Sequence, residues 1–347
     1  MFNQRPGNQH YVSRLILKRF KLPGRPLQCF DVTARQWRAK SVEKACADSG
    51  YNQLITSDGI DDTLETEFSK IESRIPKALR FLERIAADRN TDLPVQVFTD
   101  LCQYCAFLTL SSIAAKASTV VNFVYNLNLE IEIGQRHLLR ELAIPEAIIE
   151  EWKPVVLSGR RVIIEPDNAL QLIYRHQFRR RFPDEFALYR HTKWVMCTSP
   201  IDLPIADIGL IPLAQKEPKL NRYILPFGPR LLLQGIFFHD VSRNSPDQKL
   251  KRLVLTQEEA QECLDIICSA AVGEIFCQQR IADIEKSLCR ATAAGIEFLQ
   301  IANPREVTGA GLKLTTNRLH FRVVSMNEFV AFVHSFVKPR RSENAGL

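Results

Sequence analysis

The chain has 347 residues, of which 46% are hydrophobic and 24% are charged, the ordinary composition of a globular protein with a substantial core. No run reaches the roughly 18 apolar residues needed to span a bilayer, and the first residues lack the apolar core of a signal peptide. Nine cysteines over this length, without framework spacing, indicate reduced thiols. Composition therefore excludes a membrane-spanning protein and a disulfide scaffold, and we expect a cytoplasmic globular protein.

The first predicted elements are a short helix and a β-hairpin. Apolar residues recur at helical spacing over residues 10–20, and the Pro and Gly residues of LPGRP (22–26) end that helix. LQCFDV and QWRAKSV flank a TAR turn, which predicts a β-hairpin over about 27–40. The helix combines a buried side with a strongly basic outer side.

Helices dominate the middle of the chain. Asp61 or Asp62 can cap a long helix whose apolar stripe continues to Leu82, and Pro76 should kink it. A further helix is predicted from Val97 to about residue 129, followed by shorter ones. Together these segments form a helical region over about 55–185.

The remaining segments predict strands and a closing helix. Short apolar stretches punctuated by Pro at about 190–240 are typical of buried strands. Thr256 and Glu259 have capping-box spacing and predict a helix over about 256–295. One more strand and a short helix are predicted within 317–336, and residues 338–347 are expected to be disordered.

These elements predict an α+β fold, mainly helical, with a small β-sheet packed against the long helical region. Strands from about 27–40 and 192–238 would build that sheet. We expect one domain over residues 1–300, consisting of a basic N-terminal segment (1–40), the helical region, the strand-rich segment and the closing helix. Residues 301–347 would be a C-terminal extension.

The positive charge is concentrated at the start of the chain. Residues 1–40 contain nine Lys and Arg residues against the single acid Asp31, a net charge of +8, so the rest of the chain carries −1 of the total of +7. A second basic patch lies in YRHQFRRRF (174–182). Such patches attract polyanions, although acids elsewhere in the fold could balance them. The residues predicted to bind are Arg14, Lys18, Arg19, Arg179, Arg180, Arg181 and Arg230.

Several short stretches resemble one family when they are taken in order. HYVSRLILKRF (10–20) resembles the HYVP opening of the domain-of-unknown-function family 4238, and CADSGYNQ (46–53) resembles its loop with a Tyr. DDTLETEFSKIESRIPKAL (61–79), KWVMCTSPIDLPIADIGLIPL (193–213) and LPFGPRLLL (225–233) resemble its later motifs. Ser13 replaces the motif's Pro, and Ala206 precedes Asp207 where the family usually has Ser. The resemblance implies an architecture and candidate positions over roughly residues 8–290, but no reaction.

Four residues are candidates for chemistry: His10, Glu65, Glu72 and Asp207. Imidazole titrates near neutral pH and can act as a base or bind a metal, and the two glutamates lie two helical turns apart beside the apolar stripe. With Asp207 they could hold Mg²⁺ or Mn²⁺, which favour oxygen ligands, and activate water for phosphodiester cleavage. A structural alternative competes with this site. His10 could cap the helix, the glutamates could pair with arginines, and Asp207 could brace its own turn.

Other motifs point to packing. Tyr11, Tyr51 and Trp194 are more typical of core aromatics, and CQYC (102–105) lacks the second pair that a zinc site needs. No P-loop, GxGxxG, GxSxG or HExxH motif is present.

Two functions of different classes follow from these patterns. The first is a non-enzymatic interaction protein that binds nucleic acid or an acidic protein partner through the basic N-terminal face, in a mobile-element or defence setting. It needs no cofactor and does not act at a membrane. The alternative is a metal-dependent, nuclease-like hydrolase that uses the four candidate residues.

Overall fold

The computed structural model describes residues 8–10, 12–49, 54–56, 59–61, 63–85, 90–141, 144–165, 168–214, 220–238, 249–288 and 320–337. Its mixture of helices and several small sheets is α+β, which confirms the predicted class. Within those ranges, no helix combines the length and apolar character that crossing a bilayer requires. The predicted C-terminal tail at 338–347 lies outside the described residues.

The helices are α1 (Arg14–Arg19), α2 (Thr63–Glu72), α3 (Ile75–Glu83), α4 (Val95–Ser111), α5 (Ile113–Ile133), α6 (His137–Glu141), α7 (Glu146–Leu157), α8 (Asn168–Arg190), α9 (Gln257–Ala270) and α10 (Met326–Val337). The predicted helix from Asp61 is divided into α2 and α3, and Pro76 occupies the first turn of α3, where proline fits because no helical hydrogen bond is lost there.

The strands are β1 (Asn8–His10), β2 (Leu27–Asp31), β3 (Gln36–Lys40), β4 (Ala47–Ser49), β5 (Leu54–Thr56), β6 (Gly59–Asp61), β7 (Asn90–Asp92), β8 (Arg161–Glu165), β9 (Lys193–Thr198), β10 (Ile205–Ala206), β11 (Ile211–Ala214), β12 (Leu220–Gly228), β13 (Leu231–Phe238), β14 (Lys249–Val254), β15 (Glu274–Cys277) and β16 (His320–Val324).

The chain divides into two compact units. Unit 1 comprises Met1–Gln53, Asp62–Ile113 and Arg180–Gln300, and unit 2 comprises Leu54–Asp61, Ala114–Arg179 and Ile301–Leu347. Unit 1 therefore contains both the basic N-terminal segment and Asp207.

Unit 1 contains two larger sheets where one was predicted. Four strands from 192–238 join β14 and β7 in a six-stranded sheet in the order β11-β12-β13-β9-β14-β7, whereas the hairpin β2–β3 lies with β10 and β15 in a four-stranded sheet, β10-β15-β2-β3. The prediction of a single sheet was wrong because β2 pairs with β15, in the register Cys29↔Phe276. Neither strand's sequence identifies so distant a partner.

Helix α9 buries its apolar face in a core shared with strands of both sheets. Leu264 and Ile267 pack there with Phe30 of β2 and Ile224 of β12. The helix was predicted to continue to about residue 295, but it ends at Ala270 and is followed by β15. The apolar run after Gly273 enters the four-stranded sheet, where its backbone groups pair with β2 and β10.

Unit 2 has its own core. Apolar residues of α5, α6, α7 and β8 pack together there with Val324 of β16. The strand and short helix predicted within 317–336 are confirmed as β16 and α10, and β16 pairs with β8. The carboxamide of Asn128 on α5 is bonded to the N–H and the carbonyl of Val162 on β8, each at 2.8 Å.

Candidate functional site

Helix α1 presents positive charge to solvent because its apolar residues face inward. The Ser13 hydroxyl caps the helix by accepting a bond from the Leu15 N–H at 3.3 Å, while Ile16 and Leu17 are fully buried. Arg14 and Lys18 are exposed one turn apart on the opposite side. The exposed Lys21 continues this line, since its N–H bonds to the Lys18 carbonyl at 3.3 Å. We call Arg14, Lys18 and Lys21 the α1 row.

Few acidic side chains among the described residues neutralise the α1 row. Among the described residues, no carboxylate lies within ion-pair distance of Lys18. Arg14 and Lys21 each interact electrostatically with the fully exposed Glu43, and Arg14 also acts on Glu72. A concentration of positive charge with so few acids nearby attracts anions.

Ser13 also connects α1 to a partly buried carboxylate. Its hydroxyl donates a hydrogen bond to Glu72 at the end of α2. Burial raises the pKa of Glu72, the Ser13 bond opposes that shift, and the nearby Glu65 carboxylate adds to it. Glu65 and Glu72 thus interact electrostatically across two turns of α2, and the pKa of Glu72 lies above its ordinary value.

Tyr104 of α4 lies beside this pair of glutamates. The tyrosine is fully buried, which raises the pKa of its hydroxyl, and the Glu72 carboxylate raises it further. The nearby Ser13 hydroxyl lowers that pKa in part, but within the described part of the chain the tyrosine hydroxyl has no hydrogen bond of good geometry. Buried polar groups are normally bonded, so the Tyr104 hydroxyl has hydrogen-bonding capacity to spare.

Asp207 is held by a different part of the fold. Its Oδ1 accepts the Val272 N–H at 2.9 Å, and its Oδ2 accepts the N–H groups of Gly273 and Glu274 at 2.8 and 3.0 Å. Burial raises its pKa to about 6, although these backbone bonds lower it. The carboxylate thus ties its turn to the segment that enters β15.

The candidate carboxylates do not form one cluster. Among the described residues, no set of three or more His, Cys, Asp or Glu side chains is placed to hold a metal ion. The turn that follows Asp207 does approach α1, because a Cβ built on Gly209 would lie 3.6 Å from Val12. The Asp207 carboxylate is instead bonded to the backbone of residues 272–274.

His10 is described only through its backbone. It ends β1, which pairs with β4 in the register His10↔Ala47. The His10 side chain, Tyr11 and Tyr51 lie outside the described residues. The backbone places His10 three residues ahead of Ser13, at the entrance to α1.

Two of the arginines predicted to bind a ligand, Arg19 and Arg230, are engaged by other residues of unit 1. Arg19 is paired with Glu83 of α3 and donates to the Phe227 carbonyl. Arg230 is paired with Asp202 at 2.6 Å, beside a polar pocket of about 200 Å³ that Asp202 helps to line. These bonds offset part of the positive charge of both arginines.

The three consecutive arginines of α8 span the division between the units, since Arg179 belongs to unit 2 and the next two to unit 1. Arg179 is exposed, and Arg181 is paired with Glu185 one turn away at 3.1 Å. The Arg180 side chain lies outside the described residues. The other predicted core groups are buried, including Trp194 and the two thiols of CQYC.

Sequence reasoning missed Ser13, Tyr104 and a row of basic residues on α3. Ser13 carried a detectable signal, because Ser directly before a helical pattern is a typical N-cap. Tyr104 carried none, since only tertiary packing places it beside Glu72. The basic row, Lys77, Arg80 and Arg84, has a spacing that follows one helix face and could have been found.

Comparisons with known proteins identify a family and nothing more specific. A family described as "Protein of unknown function (DUF4238)" matches residues 8–280. Neither the curated proteins nor the solved structures contain a significant match.

Proposed function

The chain belongs to the DUF4238 family, and because that membership assigns no reaction, we propose from the residues that unit 1 binds nucleic acid through the basic face of α1. The observation that supports this proposal most directly is the α1 row, with Lys18 at its centre. Lysine and arginine that contact phosphates displace condensed counterions, which favours binding without reading the base sequence.

The geometry of α1 suits this role. Its buried residues and the Ser13 cap fix the helix, so the α1 row projects from a rigid element. Flexible basic tails lose more conformational freedom on binding than side chains on a packed helix do. We further propose a cytoplasmic setting, supported by the odd number of cysteines without framework spacing.

Neutralising two residues of the α1 row tests the proposal. The logarithm of the binding constant falls linearly with the logarithm of the salt concentration, and each phosphate contact to a single strand contributes about 0.7 to that slope. Loss of two contacts in Lys18→Ala/Lys21→Ala should therefore weaken binding about 15-fold at 0.15 M salt. Fluorescence anisotropy with labelled 20-nucleotide DNA and RNA would measure both quantities. Arg140→Ala/Lys251→Ala, two exposed cations on α6 and β14, is the matched control.

Two results would contradict this function. One is a wild-type protein that binds neither single- nor double-stranded nucleic acid at 50 mM salt. The other is an equal loss of affinity in the control pair, which would mean that only net charge matters. Tighter binding to an acidic polypeptide than to nucleic acid would instead favour a protein partner.

The hydrolase is a second candidate, supported by the electrostatic interaction of Glu65 with Glu72 two turns away on the same face of α2. Mg²⁺ often binds through one or two carboxylates, keeps several waters and contacts substrate phosphates, so two glutamates beside a basic helix suit it. His10 would act from the entrance to α1. Asp207 would contribute only support to the fold, because its two oxygens already accept three N–H groups.

Glu72→Gln tests the hydrolase. The amide can still accept the Ser13 bond but cannot bind a metal as a carboxylate does, so we expect cleavage in Mg²⁺ or Mn²⁺ to fall at least 100-fold with binding retained. Glu150→Gln, an exposed change on α7, is the control. Cleavage by the wild type that survives in Glu72→Gln would rule out this site.

A further inference from the structure

Helix α3 carries a second row of exposed positive charge. Lys77, Arg80 and Arg84 are all exposed, and at about 100° per residue they lie within about 60° of one another around the helix. The buried residues Ile75 and Leu79 face the opposite way. We call Lys77, Arg80 and Arg84 the α3 row.

The α3 row has no acidic counterpart in the part of the chain that the structure describes. No carboxylate there lies within ion-pair distance of any of the three residues. The neighbouring Arg74, in contrast, does have partners: its guanidinium lies 3.7 Å from the Asp100 carboxylate and bonds to Gln103. Like charges three and four residues apart weaken a helix slightly, and a bound anion would remove that repulsion.

A single ion pair joins the two basic helices. Arg19, the last residue of α1, is paired with Glu83, the last residue of α3. On α3, Glu83 lies roughly a quarter turn from the α3 row and from the buried side, whereas on α1, Arg19 lies about 100–160° around the helix from the members of the α1 row. The pair lies at the last residue of each helix, so Lys21 and Arg84, the members of the two rows nearest to it, are each within two residues of the same ion pair. The pair also neutralises Glu83, the acid nearest to the α3 row in sequence.

We propose that the α1 row and the α3 row form one continuous surface that binds the backbone of a nucleic-acid strand at several successive phosphates. This inference rests on the proposed function and extends it, because it names an extended polyanion as the ligand. From Lys77 to Arg84 the α3 row spans about 10 Å, which is long enough for its cations to contact more than one phosphate of a strand. A mononucleotide would be too short to contact both rows.

The test removes the α3 row and leaves α1 intact. Alanine favours helices, so Lys77→Ala/Arg80→Ala/Arg84→Ala should fold normally, which circular dichroism and the melting temperature would verify. We expect the affinity for a 20-nucleotide strand to fall about 50-fold at 0.15 M salt and the slope of log K against log salt to fall by about 2. The matched control is Arg140→Ala/Arg160→Ala/Lys251→Ala, which removes the same charge from other exposed positions. It should change the affinity and the salt slope far less.

Oligonucleotide length provides a second measurement. With both rows in use, affinity should rise steeply between 3 and 8 nucleotides in the wild type and level off earlier in the triple variant. If the triple variant binds nucleic acid as tightly as the wild type, the inference about the α3 row is wrong. If Lys18→Ala/Lys21→Ala loses binding in the same experiment, the proposed function of the α1 row stands. A wild type without nucleic-acid binding would overturn both proposals. Preferential binding of poly-glutamate through the same two rows would overturn the choice of nucleic acid.

Discussion

Asp207 shows how one buried carboxylate can hold two distant segments of the chain together. The sequence suggested that it braces its own turn, and it does act as a brace, but its three donors come from residues 272–274. The residue type and its apolar surroundings could be predicted from the sequence. Its partners could not, because 65 residues separate Asp207 from Val272 and only the tertiary fold brings them together.

Asp207→Ala should lower the free energy of unfolding by about 2–4 kcal/mol at pH 7. Three buried N–H groups would lose their acceptors, and the relief from burying a charge offsets only part of that loss. Urea unfolding measures the difference. Asp202→Ala is the control, since its ion pair is partly exposed and should contribute less than about 1 kcal/mol.

The loss of unfolding free energy in Asp207→Ala should depend on pH. Because the pKa of Asp207 is raised from 3.8 to about 6 in the fold, the native state binds more protons than the unfolded state between these values. Its contribution to stability is therefore full below pH 4 and falls, by up to about 3 kcal/mol, as pH rises through 6. The deficit of Asp207→Ala should be larger at pH 4.5 than at pH 7. A deficit that grows with pH would contradict this interpretation.

At the scale of single elements, local signals predicted where helix α9 begins, but not where it ends or which strands pair. The capping box at the start of α9 is confirmed, with the Thr256 hydroxyl accepting the Glu259 N–H at 3.2 Å and Glu259 accepting the Thr256 N–H at 2.8 Å. A cap depends on residues three apart, so the sequence contains all of it. The end of α9 was misplaced because β15 is determined by its partner β2, not by its own four residues.

Thr256→Ala should therefore destabilise unit 1 by about 1 kcal/mol, since one N–H of the first turn of α9 loses its acceptor. Chemical denaturation monitored by tryptophan fluorescence, to which Trp37 and Trp194 of unit 1 contribute, would detect the change. Gln257→Ala alters an exposed neighbour in the same turn and should have almost no effect. Equal losses in both variants would mean that the cap contributes nothing specific.

At the scale of the whole molecule, the two units have separate cores, which the sequence did not predict. It described residues 1–300 as one domain and the rest as an extension, whereas β16 from the extension pairs with β8 in unit 2. Composition does not change at these divisions. The grouping depends on which strands pair, and strand pairing over long separations has no local signature.

Asn128→Ala should loosen unit 2 selectively. The N–H and carbonyl of Val162 would lose their carboxamide partner, at a cost of about 2–4 kcal/mol. Hydrogen exchange resolved by segment should rise in α5 and β8 and remain unchanged in β9, β12 and β13. Asn327→Ala, an exposed change on α10, is the control. Equal acceleration in both units would show that they unfold as one.

The pairing of β2 with β15 has a consequence for synthesis on the ribosome. About 240 residues separate Asp31 from Glu274, its partner in that register, so at about 5–20 residues per second β2 waits roughly 12–50 seconds for its neighbour to be translated. During that time the β2–β3 hairpin has an unpaired edge and an uncovered Phe30, features that favour aggregation of nascent chains. A chain released before residue 274 would keep the basic α1 helix but lack the strand that completes the sheet beside it.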